Sequence, residues 1–403
     1  MIGGGICGVT TAFQLAQFGE QVTVLERGEI AGEASGVNAG GLGGFGWGNN
    51  PDLQSYLTAG SFEIFKSLQL DMGYDIEFHA PGGLQAIHTT DQWEYTRDRV
   101  LTAQEGGYHA ELLTTREART IEPEVSESLL GFMFLPRRGR ANPTKTTVAF
   151  ADAAVSFGAK IETGQNVTDI KQQDDGSWQV NTLQGEFRSK TLALAAGAWS
   201  RPLSGILGID IPIVPIKGQM WATEPVPPSI FHLSGSIESA FDWSRQSTHS
   251  DYPPDTTHRG DTRLTRHLYG GQTRNGEIIF GGDRQMAGYD YDPDITGIEI
   301  NRGQATEVFP MLSRLPINRT WAGIMPFSMD GKPIIGKIPQ FDNLFVVTGL
   351  ASSGFGRGPM SGKLLADYIH TGHPSPVLAE ADPALSRMHI WRGRRIERWR
   401  SRW

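Results

Sequence analysis

Gly3-Gly4-Gly5-Ile6-Cys7-Gly8, followed by Val22-Thr23-Val24-Leu25-Glu26-Arg27, is the stretch whose reading decides the fold of this chain. Gly3, Gly5 and Gly8 stand at the G-x-G-x-x-G spacing. The first permits a tight turn, the second lets a pyrophosphate approach the backbone, and the third lets a helix pack closely on a strand. Ile6 to Phe18 predicts a helix, with apolar Val9, Ala12, Phe13, Leu15 and Ala16, and Gly19 stands where such a helix ends. Its N-terminus points free N–H groups, and the positive end of the dipole, at a phosphate. Val22 to Leu25 predicts the next strand. Glu26 closes it 18 residues after Gly8, near the ~20 expected of the acid that binds ribose hydroxyls. A strand normally precedes the first glycine, and here only Met1 and Ile2 do. Either that strand is a stub, or the coding region continues upstream with a short apolar strand, which is the expectation.

Ala31-Gly32-Glu33-Ala34-Ser35-Gly36-Val37-Asn38-Ala39-Gly40-Gly41-Leu42 is a run of small residues able to wrap a second phosphate. Further blocks stand at Ala193-Leu194-Ala195-Ala196-Gly197-Ala198-Trp199-Ser200, at Gly323-Ile324-Met325-Pro326 through Asp330-Gly331-Lys332-Pro333-Ile334-Ile335-Gly336, and at Asn343 to Gly362. Together, and in this order over nearly the whole chain, they resemble the FAD-dependent amine and amino-acid oxidoreductases of the D-amino-acid oxidase superfamily. The resemblance is to its glycine oxidase, D-amino-acid dehydrogenase and sarcosine/dimethylglycine branches.

The resemblance implies an α/β chain of two domains, a Rossmann-like FAD-binding domain and a β-sheet-rich substrate domain. The expected boundaries are 1–78, 140–215 and 320–385 for the first, 79–139 and 216–319 for the second, and 386–403 for a basic tail. It implies noncovalent FAD held by Gly3, Gly5, Ile6, Cys7, Gly8, Glu26, Arg27, Ala34, Ser35, Ala39, Gly40 and Gly41. Val167 falls by the adenine, and the turn with Gly197 and Trp199 reaches the cofactor. Leu350, Ser352, Ser353, Gly354, Phe355 and Gly356 form the loop along the isoalloxazine ring. A helix is expected from Pro359 to Ile369, its positive end near the flavin.

Elsewhere the patterns predict a helix over 51–78, a strand pair over 78–88, helices at 93–105 and 115–121, and a helix opening at Asn142-Pro143 with Val148, Ala151, Ala154 and Val155 on one face. A hairpin is read from Trp178–Thr182 and Phe187–Leu194, a second from His267–Tyr269 and Glu277–Gly282, and a polar mobile insertion over 244–263. Alternation places His267 and Tyr269 on one face. Either they are half-buried sheet residues, or they face the flavin as catalytic groups together with Arg357.

The chain has 403 residues, 38% hydrophobic and 20% charged, enough for two globular domains. Its formal net charge of −8 does not favour nucleic acid. One cysteine excludes an intrachain disulfide and fits a reducing, cytoplasmic setting. No apolar run approaches a membrane span, and no metal-ligand spacing or Ser-His-Asp pattern stands out. Arg387 to Trp403 holds seven arginines, three tryptophans and one acid. Such a segment suits an anionic membrane surface or an electron acceptor, peripheral to the inner face of a membrane, or is a tail without a role.

The resemblance implies hydride transfer from a C–H beside nitrogen to the flavin, with water hydrolysing the imine; the partner is a small amine or amino acid. An NAD(P)-dependent dehydrogenase, hinted at by Arg27, and a non-catalytic flavoprotein-like subunit stay open as alternatives. The usual arginine of a Gly-x-Arg-Pro carboxylate anchor is here Met325, and a second anchor position is Ser352. Another cation then substitutes, with Arg357, Lys217 and Arg284 as candidates, or the substrate is substituted on nitrogen.

Overall fold

A computed structural model describes residues 1–246 and 252–385. The chain divides into two compact units, one of 1–36, 146–215 and the chain from 325, the other of 37–145 and 216–324. The break at 215 coincides with the expected one; the others fall at 36, 145 and 324 instead of 78, 139 and 319.

In the first unit Thr23–Leu25 pairs in parallel with Lys160–Glu162, and Leu192–Leu194 with Leu344–Thr348. Ile334–Lys337 adds an antiparallel edge. Ile2 bridges Leu25 and Leu194 in parallel, between their strands. The Leu344–Thr348 strand is buried at every position, as a parallel strand covered on both faces requires. The core includes Ile2, Leu25, Leu194, Trp178 and Val346. The helices Ile6–Gln17 and Gly354–Thr371 pack together through missing side chains. A Cβ on Gly362 would lie 2.9 Å from both the Cys7 carbonyl oxygen and the Thr11 amide nitrogen.

In the second unit an eight-stranded sheet runs in the order Ile317–Ser328, Ile213–Thr223, Ile278–Gln285, Tyr269–Gln272, Leu233–Ser236, Gly83–Ile87, Gly131–Leu135, Glu111–Thr114. Its core gathers Leu84, Phe132, Trp221, Phe280 and Phe309. Gly41–Gly44 and Arg137–Arg140 form a separate antiparallel ribbon.

Several expectations need correction. The helix of 51–78 is Leu53–Leu70, capped by Asp52 on the Ser55 amide. The strand pair of 78–88 is the single strand Gly83–Ile87, because its main partner is Gly131–Leu135 rather than its own neighbour. The second arm of the 178–194 hairpin splits: Glu186–Ser189 pairs with Trp178–Thr182, while Leu192–Leu194 leaves for the parallel sheet. In the Pro143–Ser156 helix Ala151 and Ala154 are buried as expected, but Val148 and Val155 are exposed and Phe150 takes the core. The last helix starts at Gly354, so Pro359 lies inside it. There the proline supplies no N–H to the helix ladder. Most of 244–263 is anchored, since Thr257, His258 and Arg263 all bind Asp283; residues 247–251 lie outside the described residues.

Candidate functional site

The glycine loop of the first unit has the shape its spacing predicts. Gly3 holds φ +113, and a Cβ there would sit 2.8 Å from the Ala195 carbonyl carbon. A Cβ on Gly8 would collide with the Gly3 carbonyl oxygen. Gly5 is the N-cap of the Ile6–Gln17 helix and offers its amides no capping side chain of its own. Two loop amides are engaged from within: Gly4 N–H donates to Glu26 Oε2 at 2.6 Å and Ile6 N–H to Ser35 Oγ at 2.9 Å. Glu26 Oε1 accepts from Gly28 N–H at 2.8 Å. The acid at the strand end therefore shapes the loop as well as offering a carboxylate beside it. Arg27 pairs with Glu33, and its guanidinium lies 3.9 Å above the Trp199 ring. That engagement removes the case for Arg27 as a ready 2′-phosphate ligand. Burial pushes the Cys7 thiol up to about 12, so it is no nucleophile.

The later blocks converge on the same unit. Gly197 opens a short 3₁₀ turn, Gly197–Trp199, with φ +52. Leu350 is buried, Ser352 exposed and Phe355 buried. Ala351 adopts φ +51, a left-handed conformation rare for a residue with a Cβ. The Gly354–Thr371 helix begins without a side-chain cap, which puts Ser353, Gly354 and Gly356 at a second amide-rich helix start. Arg357 sits in its first turns and Met325 is half-buried. Val167 begins the Val167–Gln172 strand at a bulge. Uncapped glycine-rich helix starts, close backbone approach and the Glu26 carboxylate fit a dinucleotide such as FAD.

In the second unit Ala39 is buried with Met220, Ala222 and Ile279 against Tyr269 and Trp321. Gly40 adopts φ +76, and Gly41 N–H donates to Tyr269 Oη at 2.6 Å. Burial pushes the Tyr269 hydroxyl upward, against the Gly41 hydrogen bond and nearby Arg140 and Arg138. His267 lies just before the Tyr269–Gln272 strand. Arg284 Nη2 donates to its Nε2 at 3.0 Å, so its Nδ1–H faces Ser239 Oγ at 2.6 Å. Burial, then Arg284 and Arg138, keep its pKa well below the usual histidine range. Both ring nitrogens are thus engaged and the ring is neutral.

Of the substrate-anchor candidates, Lys217 is committed elsewhere: its Nζ reaches Asp290 Oδ2 at 2.6 Å and the Asp292 carbonyl at 2.8 Å. Arg284 is buried, bonded to His267 and to the Asp255 carbonyl at 3.0 Å, and burial lowers it to about 10. Sequence reading passed over two groups. One is Asp283, a buried hub accepting from Gln219, Thr257, Arg263 and Gln285 at 2.7–2.9 Å. The other is the pair Arg138 and Arg140, whose Nε and Nη1 are buried without a partner. The signal for that pair was the Arg137-Arg138-Gly139-Arg140 run directly after the apolar strand Gly131–Leu135. Among the described residues no cluster could hold a metal ion, and no helix is long and apolar enough to cross a membrane.

Residues 1–368 match the family described as "DAO: FAD dependent oxidoreductase". The chain belongs to this family. FAD is its cofactor, as the cradle above fits. The chain is 27% identical over 407 residues to mitochondrial dimethylglycine dehydrogenase of Mus musculus, an alignment covering 95% of this chain and 43% of that protein. It thus spans less than half of that relative. It is 26% identical to glycine oxidase of Bacillus licheniformis, with 93% of each chain covered. Among solved structures, L-proline dehydrogenase from P. horikoshii superposes with a TM-score of 0.82 at 26% identity, covering 97% of each chain.

Proposed function

We propose that this chain oxidises the C–N bond of a small amine or amino acid. The observation that carries the reading is the family match through residue 368 onto a chain whose glycine loop and Glu26 carboxylate are built for a dinucleotide. The kinds of relatives support the amine, since dimethylglycine, glycine and proline each carry hydrogen on a carbon beside nitrogen. Bound FAD supplies the two-electron acceptor for the hydride leaving that carbon, and water then hydrolyses the imine. The chain's own part is to bind and orient. The amides at Gly5 and Gly354 face phosphate or developing negative charge. Tyr269 stays protonated and donates. His267, neutral with both nitrogens engaged, holds its neighbours in place and takes no proton. A substrate bound as the free amine needs no side-chain base.

Arg357, Met325 and Ser352 are the substrate-facing candidates of the first unit; Tyr269 is that of the second, where Lys217 is committed to Asp290 and the Asp292 carbonyl. FAD-binding and substrate domains are proposed to correspond to the two units. The basic tail, 386–403, lies outside the described residues; its composition supports contact with an anionic membrane or an electron acceptor. The deciding experiment is an anaerobic screen of amines and amino acids against the purified flavoprotein, read by bleaching of the flavin spectrum. A flavin spectrum that no amine bleaches would overturn the reading and favour a non-catalytic subunit.

A further inference from the structure

Arg138 and Arg140 are alternate residues of the Arg137–Arg140 strand, so they share one face of it. That strand lies beside Gly41–Gly44, with Arg140 opposite Gly41 and Arg138 opposite Gly43. Room for the two guanidinium arms comes from glycines. A Cβ on Gly83 would stand 2.9 Å from Arg138 Cδ, and one on Gly271 would stand 3.2 Å from Arg140 Nη1.

Neither cation is neutralised. Arg138 Nε and Arg140 Nη1 are inaccessible and lack any hydrogen-bond partner. Burial pushes both guanidinium groups down, and the one titratable neighbour opposing this at Arg138 is Tyr269. Arg140 feels Glu77 as well, but Glu77 is held by Lys145 at 2.7 Å. Arg137, by contrast, turns to Glu63 as an ordinary ion pair. Buried donors without acceptors are costly and rare in native chains. Tyr269 adds a third donor: its oxygen accepts from Gly41 N–H, which leaves its own proton to give.

We propose that Arg138, Arg140 and the Tyr269 hydroxyl form a recognition site for the acid groups of a dianionic substrate, an amine bearing two carboxylates. Two cations rising from alternate positions, roughly 7 Å apart along the strand, match two acid groups better than one bidentate carboxylate. A substrate with one carboxylate leaves one guanidinium buried and unpaired. The inference rests on the amine-oxidising reading above.

The test uses the flavin-loaded protein and two non-oxidisable probes of equal length, succinate and butyrate, titrated by calorimetry. Succinate is expected to bind at least tenfold more tightly than butyrate. Arg138→Met and Arg140→Met are expected to bring the two within threefold of each other at unchanged flavin content. Without ligand, both variants should melt at or above the wild-type temperature, because a buried guanidinium nitrogen without a partner has been removed. Equal binding of the probes, binding of neither, or loss of flavin from the variants would overturn the proposal. Should a variant not fold, the wild-type ratio decides alone. A tenfold ratio in a protein whose flavin no amine bleaches would sink the reaction and leave the anion site standing.

Discussion

The phenol oxygen of Tyr269 accepts a hydrogen bond from the backbone amide of Gly41, residues 228 apart in sequence, at 2.6 Å. The contact requires glycine, since a Cβ at 41 would stand 2.9 Å from Tyr269 Cζ. It ties the small-residue loop to the large sheet and fixes the direction of the tyrosine proton. Tyr269→Phe leaves the Gly41 amide without its partner, which should cost about 1–3 kcal/mol. Chemical unfolding of the variant reads that loss. An unchanged midpoint and slope would show that the bond contributes nothing to stability.

His267 makes stability depend on pH. Its folded pKa lies well below the ordinary value, through burial and then Arg284 and Arg138. The unfolded chain therefore binds a proton near pH ~6.5 that the folded chain refuses, and stability falls as pH drops below that point. The slope it contributes is about 1.4 kcal/mol per pH unit. His88 is shifted in the same sense, chiefly by burial, so some slope survives without His267. Melting temperatures between pH 7 and pH 5 should fall less steeply in His267→Gln than in wild type. Parallel curves would mean that His267 titrates normally.

The dinucleotide half was legible because its signals are local. Glycine spacing, strand, helix and acid follow one another within Gly3 to Glu26, and each loop residue keeps its place. The strand over 344–348 was legible for the same reason, a short apolar run between turns. What sequence could not give were pairings made at a distance. Nothing near Leu192 says that it abandons its hairpin for Leu344, because an apolar strand satisfies either partner. Pro359 reads as a helix start, yet the preceding glycines and Phe355 already pack helically. The insertion at 244–263 reads as mobile because its polar residues have no visible partner, and that partner, Asp283, lies 20 residues beyond its end. Arg138 and Arg140 were passed over since three arginines in four residues look like a solvated surface.

Cys7 should be inert. Its thiol is pushed up to about 12 by burial, so the thiolate fraction at pH 8 is on the order of one in 10⁴. Iodoacetamide at pH 8 should label the native protein negligibly and the urea-unfolded protein completely, as intact mass would report. Rapid labelling of the native protein would mean that the thiol is open to solvent.

FAD should be held without a covalent bond. The one cysteine lies protonated in the phosphate loop. Asn38, in the small-residue loop, uses its Oδ1 to accept from Gly40 N–H at 2.8 Å and has no nucleophilic atom. Acid precipitation should release all the yellow colour into the supernatant. Flavin fluorescence on the denatured chain in a gel would contradict this.

Glu26 should matter twice over, to the cofactor and to the loop. One oxygen accepts from Gly4 N–H at 2.6 Å and the other from Gly28 N–H at 2.8 Å. A glutamine offers one oxygen, so its amide nitrogen would face one of those N–H groups donor to donor. An alanine leaves both amides unpaired. The expected loss of stability is about 1–3 kcal/mol for Glu26→Ala, with a smaller loss for Glu26→Gln. FAD affinity, measured by titrating the apoprotein, should weaken in both variants. An exposed ion pair sets the comparison: Asp210, partnered with Arg201 at 2.9 Å on the surface, should change stability by under about 1 kcal/mol when made asparagine. If Glu26→Ala loses stability but keeps its FAD affinity, the carboxylate is a loop brace alone and the ribose assignment falls.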